Sequence, residues 1–83
     1  LSSYPNPFNP VITIPFELYQ NEFTRLSIFD VAGKEISVLI DDKDIASGLH
    51  QIKWDASTYP SGLYFVMIHA GTFMESKKII LIK

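Results

Sequence analysis

The chain contains no cysteine, and three kinds of site depend on that residue. Its absence excludes a disulfide framework, a thiolate zinc site and a cysteine nucleophile. Glycine is also scarce. The four glycines are scattered along the chain, so they form no phosphate-binding loop. No apolar run approaches the roughly 18 residues that span a bilayer, and no signal peptide is recognisable. The missing cysteines leave the cellular compartment open, since many exported domains carry no disulfide.

Charge of either sign is limited as well. Seven basic and nine acidic residues give a net charge of −2, which leaves no basic field for nucleic acid. At 47% hydrophobic residues the composition is too apolar for a disordered tail. The 83 residues suffice for one small domain with a single core. The first residue is Leu1 rather than Met, so we expect a domain cut from a larger protein that it serves.

What the chain does contain is β-branched and aromatic residues. There are 19 Val, Ile or Thr and 11 Phe, Tyr or Trp, against four Ala. These side chains suit a pleated, half-buried surface, and no sustained helical stripe appears. The alternating segments predict six strands, at residues 11–18, 23–31, 34–41, 49–55, 63–70 and 72–83. Short turns between them indicate an all-β, small antiparallel sandwich.

Proline divides the chain into two parts. Residues 1–10 contain Pro5, Pro7 and Pro10, which predict a stiff arm leading into a folded domain at residues 11–83. Pro15 cannot donate to a ladder, so the first strand should be an edge strand or carry a bulge.

Further along the chain, two details of the third strand and its connections are predicted. We expect Ile36, Val38 and Ile40 to point inward and residues 42–48 to form a polar loop. Residues 30–33 should form a tight turn, with Gly33 at positive φ.

The histidines and acidic residues give little reason to expect catalysis. His50 and His69 lie on separate predicted strands, and no GxSxG elbow occurs, so we expect neither an enzyme nor a cofactor. His50 is interpreted as a rim or core residue and His69 as a surface residue. The acidic residues at 41, 42 and 44 lack the glycine and the closing Glu of an EF-hand, which favours a solvated loop over a calcium site.

Aromatic residues leave two interpretations open. Trp54 shares a predicted strand face with Ile52, which favours a core position over sugar stacking. Tyr59, Tyr64 and Phe73 are the remaining candidates for an exposed sugar-binding platform. Residues 61–64 (SGLY) instead suggest a tyrosine corner, in which the Tyr64 hydroxyl bonds nearby backbone.

The C-terminal residues 77–83 (KKIILIK) form the last motif. Four consecutive aliphatic residues flanked by lysines are prone to edge pairing, and the lysines oppose it. Sequence physics favours a buried terminal strand with charged ends over a label that is presented to a receptor.

Three stretches in order carry a family resemblance: residues 4–10 (YPNPFNP), 28–35 (IFDVAGKE) and 61–65 (SGLYF) before the lysine-rich terminus. Together with His50 and the Trp54-Asp55 pair, they resemble the type A C-terminal sorting domains of the type IX, or Por, secretion system. The likeness runs from Tyr4 to Lys83.

The resemblance implies an Ig-like β-sandwich of about six to seven strands at the C-terminus of a larger exported protein. Outer-membrane secretion machinery, with translocon and sortase components, would recognise it in a Gram-negative cell. It would carry a covalently linked N-terminal cargo through the periplasm, to be secreted or held at the cell surface, often after cleavage.

Three recognition motifs follow from the resemblance, and no catalytic or metal residue does. The matching residues are Pro5, Asn6 and Pro7, then Gly62 and Tyr64, then Lys77, Lys78 and Lys83. The Ig-like domain of the flagellar hook-capping protein is similar too. An alternative function is therefore a structural or carbohydrate-binding accessory domain of a secreted or surface enzyme.

Overall fold

A computed structural model describes residues 10–82 of the chain. The strands are β1 (Val11–Leu18), β2 (Glu22–Phe29), β3 (Glu35–Ile45), β4 (Gly48–Asp55), β5 (Gly62–Ala70) and β6 (Phe73–Leu81). The predicted all-β class is confirmed. Within residues 10–82 we find no helix long and apolar enough to cross a membrane. Of the predicted leading arm, residues 1–9 lie outside the described part.

The strands form two antiparallel sheets. One contains β1 and β4, and the other has the order β3-β2-β5-β6. These pairings are those of an immunoglobulin sandwich, with β1 and β4 as strands B and E, β2, β5 and β6 as C, F and G, and β3 added beside β2. Across the described residues β1 pairs with β4 alone, so Pro15 lies in an edge strand as predicted.

The core lies between the two sheets and follows from alternation along the strands. In β1 every second residue, from Ile12 to Leu18, is buried, while Val11 and Glu17 are exposed. Trp54 is 2% exposed, which confirms its predicted core position. The opposing sheet contributes Leu26, Ile28, Tyr64, Val66, Ile68, Ala70, Ile79 and Leu81.

The inward direction predicted for Val38 is wrong. Val38 is 41% exposed, whereas Ile40 is buried and Ile36 packs at the core's margin. The ladder explains the difference, because Leu26 pairs with Ile40 but the next residue of β2 pairs with Val38. This register shift is a bulge in β3, and a bulge breaks the two-residue period on which the prediction rested.

The polar loop predicted at residues 42–48 is also wrong. β3 continues to Ile45, and it pairs Lys43 with Thr24 and Asp44 with Phe23. Asp42 has a φ of 51°, a conformation that Asp tolerates better than most residues. This local irregularity at Asp42 lets the strand resume its pairing at Lys43 instead of ending among the acidic residues.

Candidate recognition site

Strand direction brings the described parts of the predicted motifs toward one end of the sandwich. In the β5–β6 ladder Gly62 pairs with Leu81 and Tyr64 pairs with Ile79. The start of β1 lies at the same end, because Val11 pairs with Asp55 just before the loop that leads into β5. We call this end the motif pole; it comprises the turn at 30–33, the loop at 56–61, the start of β5 and the end of β6.

Tyr64 forms the predicted tyrosine corner. Its hydroxyl donates to the carbonyl oxygen of Pro60 at 2.6 Å, four residues upstream. The ring is buried and meets Trp54 edge-on, with centroids 5.5 Å apart. Burial raises the pKa of the Tyr64 hydroxyl above its usual 10.0, and the charge of Asp30 adds to this. The arrangement fixes the backbone where β5 begins.

Tyr59 ties the 56–61 loop to the rest of the domain. Its hydroxyl donates to the carbonyl oxygen of Ile36 at 2.8 Å, which joins the loop to β3. At the loop's start the Ala56 N–H donates to the Pro10 carbonyl at 2.9 Å. Ala56 is fully buried. The point at which the chain enters β1 is thereby held at the motif pole.

The turn at 30–33 is closed by the side chain of Asp30. Its Oδ1 atom accepts the N–H of Ala32 at 2.9 Å and that of Lys34 at 3.0 Å. Gly33 has a φ of 85°, as the turn prediction requires. An Asp that bonds backbone two residues ahead is a common turn device, so the aspartate at position 30 could have been read from the sequence.

A groove of ≈ 300 Å³ separates this turn from the 56–61 loop. Its lining includes Val31, Tyr59, Pro60, Gly62 and Leu63. A side chain at Gly62 would meet open space, because no atom lies within 4 Å of the position its Cβ would take. The φ of Gly62 is 155°. We infer that the glycine serves the backbone conformation rather than close packing.

The two described lysines of the C-terminal motif point to opposite faces of β6. Lys77 pairs with Val66 and Lys78 with Phe65. Lys77 is half-buried on the face that carries Ile79 into the core, whereas Lys78 is exposed on the outer face. Ile79 and Leu81 are buried whereas Ile80 and Ile82 are exposed, so the interpretation as a buried terminal strand is confirmed for one face only. Lys83 lies outside the described residues, as do Pro5, Asn6 and Pro7.

The carbohydrate platform is not assembled. Trp54 and Tyr64 are buried, and Tyr59 packs on Trp54 with ring centroids 5.5 Å apart. Phe73 begins β6 at the opposite end of the sandwich. The three candidates therefore offer no shared face for a sugar ring.

The histidines occupy the positions expected of them. His50 stacks on Phe16 at 5.2 Å between centroids, and its Nε2 atom is 2.6 Å from the Ala46 carbonyl oxygen. His69 is exposed on β5.

The sequence did not indicate the role of Arg25. Its guanidinium contacts Glu35 at 2.7 Å and Asp41 at 2.6 Å, with Asp42 at 3.6 Å. The hydrogen bond from Arg25 lowers the pKa of the Glu35 carboxyl. In residues 10–82 no group of three potential ligands is placed to hold a metal ion.

Comparison with known protein families gives one match, and it includes the same motifs. A family model described as the secretion system C-terminal sorting domain matches residues 2–83. The match covers the described sandwich together with the Pro5–Pro7 stretch that precedes it. No curated protein and no solved structure matches the chain.

Proposed function

From the premise that the chain belongs to the family of secretion system C-terminal sorting domains, we propose that the motif pole is the surface by which the secretion machinery recognises it. The domain is a C-terminal sorting signal for type IX secretion, which directs export to the outer membrane or cell surface of a Gram-negative bacterium. The family is not a catalytic one. This function implies contact with secretion machinery and attachment to an N-terminal cargo.

One observation carries the proposal: two motifs that are distant in sequence are neighbours in one ladder. Tyr64 pairs with Ile79, and Phe65 pairs with Lys78. The glycine-tyrosine motif therefore fixes the start of β5, and β5 in turn positions the lysine-bearing β6. A receptor that contacts β6 near its end also meets the start of β5.

The proline motif lies just before the described residues in the sequence. Two residues separate Pro7 from Pro10, and the three Cα–Cα steps between them span at most about 11 Å. Pro10 is held at the motif pole through Ala56. On this proposal Pro5, Asn6 and Pro7 stiffen the junction between the cargo and the sorting domain.

The lysines divide into two roles. Lys78 is exposed on the outer face of β6, so a partner that docks on that face contacts its side chain. Lys77 is half-buried on the inner face of β6, so its aliphatic stem lies at the margin of the core. We therefore expect recognition to depend more on Lys78 than on Lys77, with Lys83 adding charge at the terminus.

Export of a reporter tests the proposal. Residues 1–83 are fused behind a periplasmic reporter in a host with type IX machinery, and the reporter is measured in the periplasm, at the surface and in the medium. The intact fusion should leave the periplasm. Lys78→Gln should reduce export several-fold while the midpoint of thermal unfolding stays unchanged, because an exposed charge contributes little to stability.

Lys53→Gln is the matched control, since Lys53 is an exposed lysine on β4, in the other sheet from β5 and β6. It should leave export unchanged. The proposal fails if Lys78→Gln and Lys53→Gln export equally well, or if Lys78→Gln lowers export only to the extent that it unfolds the domain.

A further inference from the structure

The opposite end of the sandwich has a groove that no recognition motif occupies. This groove lies between the end of β1 and the start of β6. It consists of two cavities, of ≈ 180 and ≈ 240 Å³. Both are lined by Glu17, Tyr19 and Phe73, so they adjoin along a shared wall. We call them together the distal groove.

Two aromatic rings in the distal groove are open to solvent. Tyr19 is 90% exposed and Phe73 is 48% exposed, whereas Phe16 forms the buried floor. An aromatic ring that remains in water keeps its apolar surface and the negative face of its quadrupole available to a ligand. Neither ring belongs to the buried core, which lies between the two sheets.

Carboxylates surround these rings. Glu17 and Glu22 line the first cavity, and Glu17 and Glu75 line the second. No lysine, arginine or histidine is among the residues that line either cavity. The Glu22 carboxylate lies against Gly71, within 3 Å of the position that a Cβ there would take. Acidic groups and aromatic faces attract the same kind of ligand, a cation.

We propose that the distal groove binds a basic peptide segment, with one lysine or arginine side chain in each of its two cavities. Long basic side chains have an apolar stem and a charged head, which match an aromatic wall and a carboxylate rim. A strand edge lies beside the groove, since β6 has β5 as its only strand partner in the described range. An extended peptide can therefore lie along the start of β6.

The distal groove is separate from the motif pole. β5 runs from Gly62 at one end to Ala70 at the other, and eight steps of about 3.3 Å place the two ends about 26 Å apart. A partner bound at one end leaves the other accessible. The inference therefore does not depend on how the motif pole is recognised.

A titration of residues 1–83 with the amidated peptide tetralysine, followed by NMR chemical shifts, tests the inference. We expect saturable binding, with shifts around Tyr19 and Phe73, that weakens as salt rises. Tyr19→Ser and Phe73→Ser should each weaken binding about two- to fivefold. A Glu17→Gln, Glu22→Gln double variant should weaken it severalfold.

Phe23→Ser is the matched control, because Phe23 is 70% exposed near the same end but lines neither cavity. It should bind tetralysine like the parent chain. The inference is overturned if tetralysine does not saturate, if tetraglutamate binds equally well, or if Phe23→Ser loses as much affinity as Tyr19→Ser. Circular dichroism of each variant separates a loss of binding from a loss of fold.

Discussion

The two ends of this sandwich use aromatic residues in opposite ways. At the motif pole Trp54, Tyr59 and Tyr64 pack on one another with ring centroids 5.5 to 6.4 Å apart. Both tyrosine hydroxyls there donate to backbone carbonyl oxygens. At the distal groove Tyr19 and Phe73 remain in solvent. An aromatic residue whose ring is buried and whose hydroxyl is bonded defines the backbone, whereas an exposed ring is free to meet a ligand.

The largest expected difference between the two ends comes from replacing one aromatic ring at each of them. Trp54→Ala should cost about 3–5 kcal/mol of unfolding free energy, because it leaves a cavity between the sheets. Tyr19→Ala should cost less than about 0.5 kcal/mol, because that ring is exposed. Urea unfolding followed by far-ultraviolet circular dichroism measures both. Similar losses of unfolding free energy in the two variants would show that the aromatic rings have the same role at both ends.

A smaller change removes only the hydroxyl at the corner. Tyr64→Phe should lower the unfolding free energy by about 1 kcal/mol, because the Pro60 carbonyl oxygen loses its donor. Tyr19→Phe is the control and should have no measurable effect. Urea midpoints at constant m-value report the difference. An unchanged midpoint for Tyr64→Phe would mean that water replaces the lost bond at no cost.

Stability at alkaline pH tests the same hydroxyl, because the hydroxyl ionises there. The pKa of Tyr64 is raised in the folded state, chiefly by burial, so the folded chain retains this proton to higher pH than the unfolded chain. The associated stability is complete below pH 10 and is lost as pH rises from 10 through the folded pKa. We expect Tyr64→Phe to flatten the fall in stability above pH 10, measured by urea unfolding at several pH values. Tyr19→Phe should leave that slope as it is.

The smallest expected effect concerns a charge on the outer face. The hydrogen bond from Arg25 lowers the pKa of Glu35, so its contribution is present above the ordinary value of 4.5 and is lost as pH falls through the folded pKa. Arg25→Gln should raise the Glu35 pKa in an NMR titration. The stability itself should change little, because both groups are solvated. A Glu35 pKa that does not move would assign its shift to the side-chain hydrogen bond from Ser27.

Much of this fold was accessible from alternation along the sequence. The bounds of β1, the burial of Trp54 and the corner at Tyr64 all follow from patterns within a few residues. Val38 and the continuation of β3 to Ile45 did not follow, because bulges depend on the partner strand. The split of Lys77 and Lys78 between two faces follows from the strand period alone.

The site was less predictable than the fold. The bond from Tyr59 to Ile36 links residues 23 positions apart, and nothing local in the sequence indicates it. The distal groove joins the end of β1 to the start of β6, so it exists only once the two sheets have packed together.

The placement of the described strand ends has a mechanical consequence. Val11 at the start of β1 and Leu81 at the end of β6 lie at the same end of the sandwich. A pull that separates these two points loads the ladder bonds at Val11–Asp55 and Gly62–Leu81 first. Because antiparallel ladder bonds run perpendicular to the strands, each pair then opens in turn rather than all together. Tension between these two strand ends therefore peels β1 from β4 and β6 from β5, one residue pair at a time.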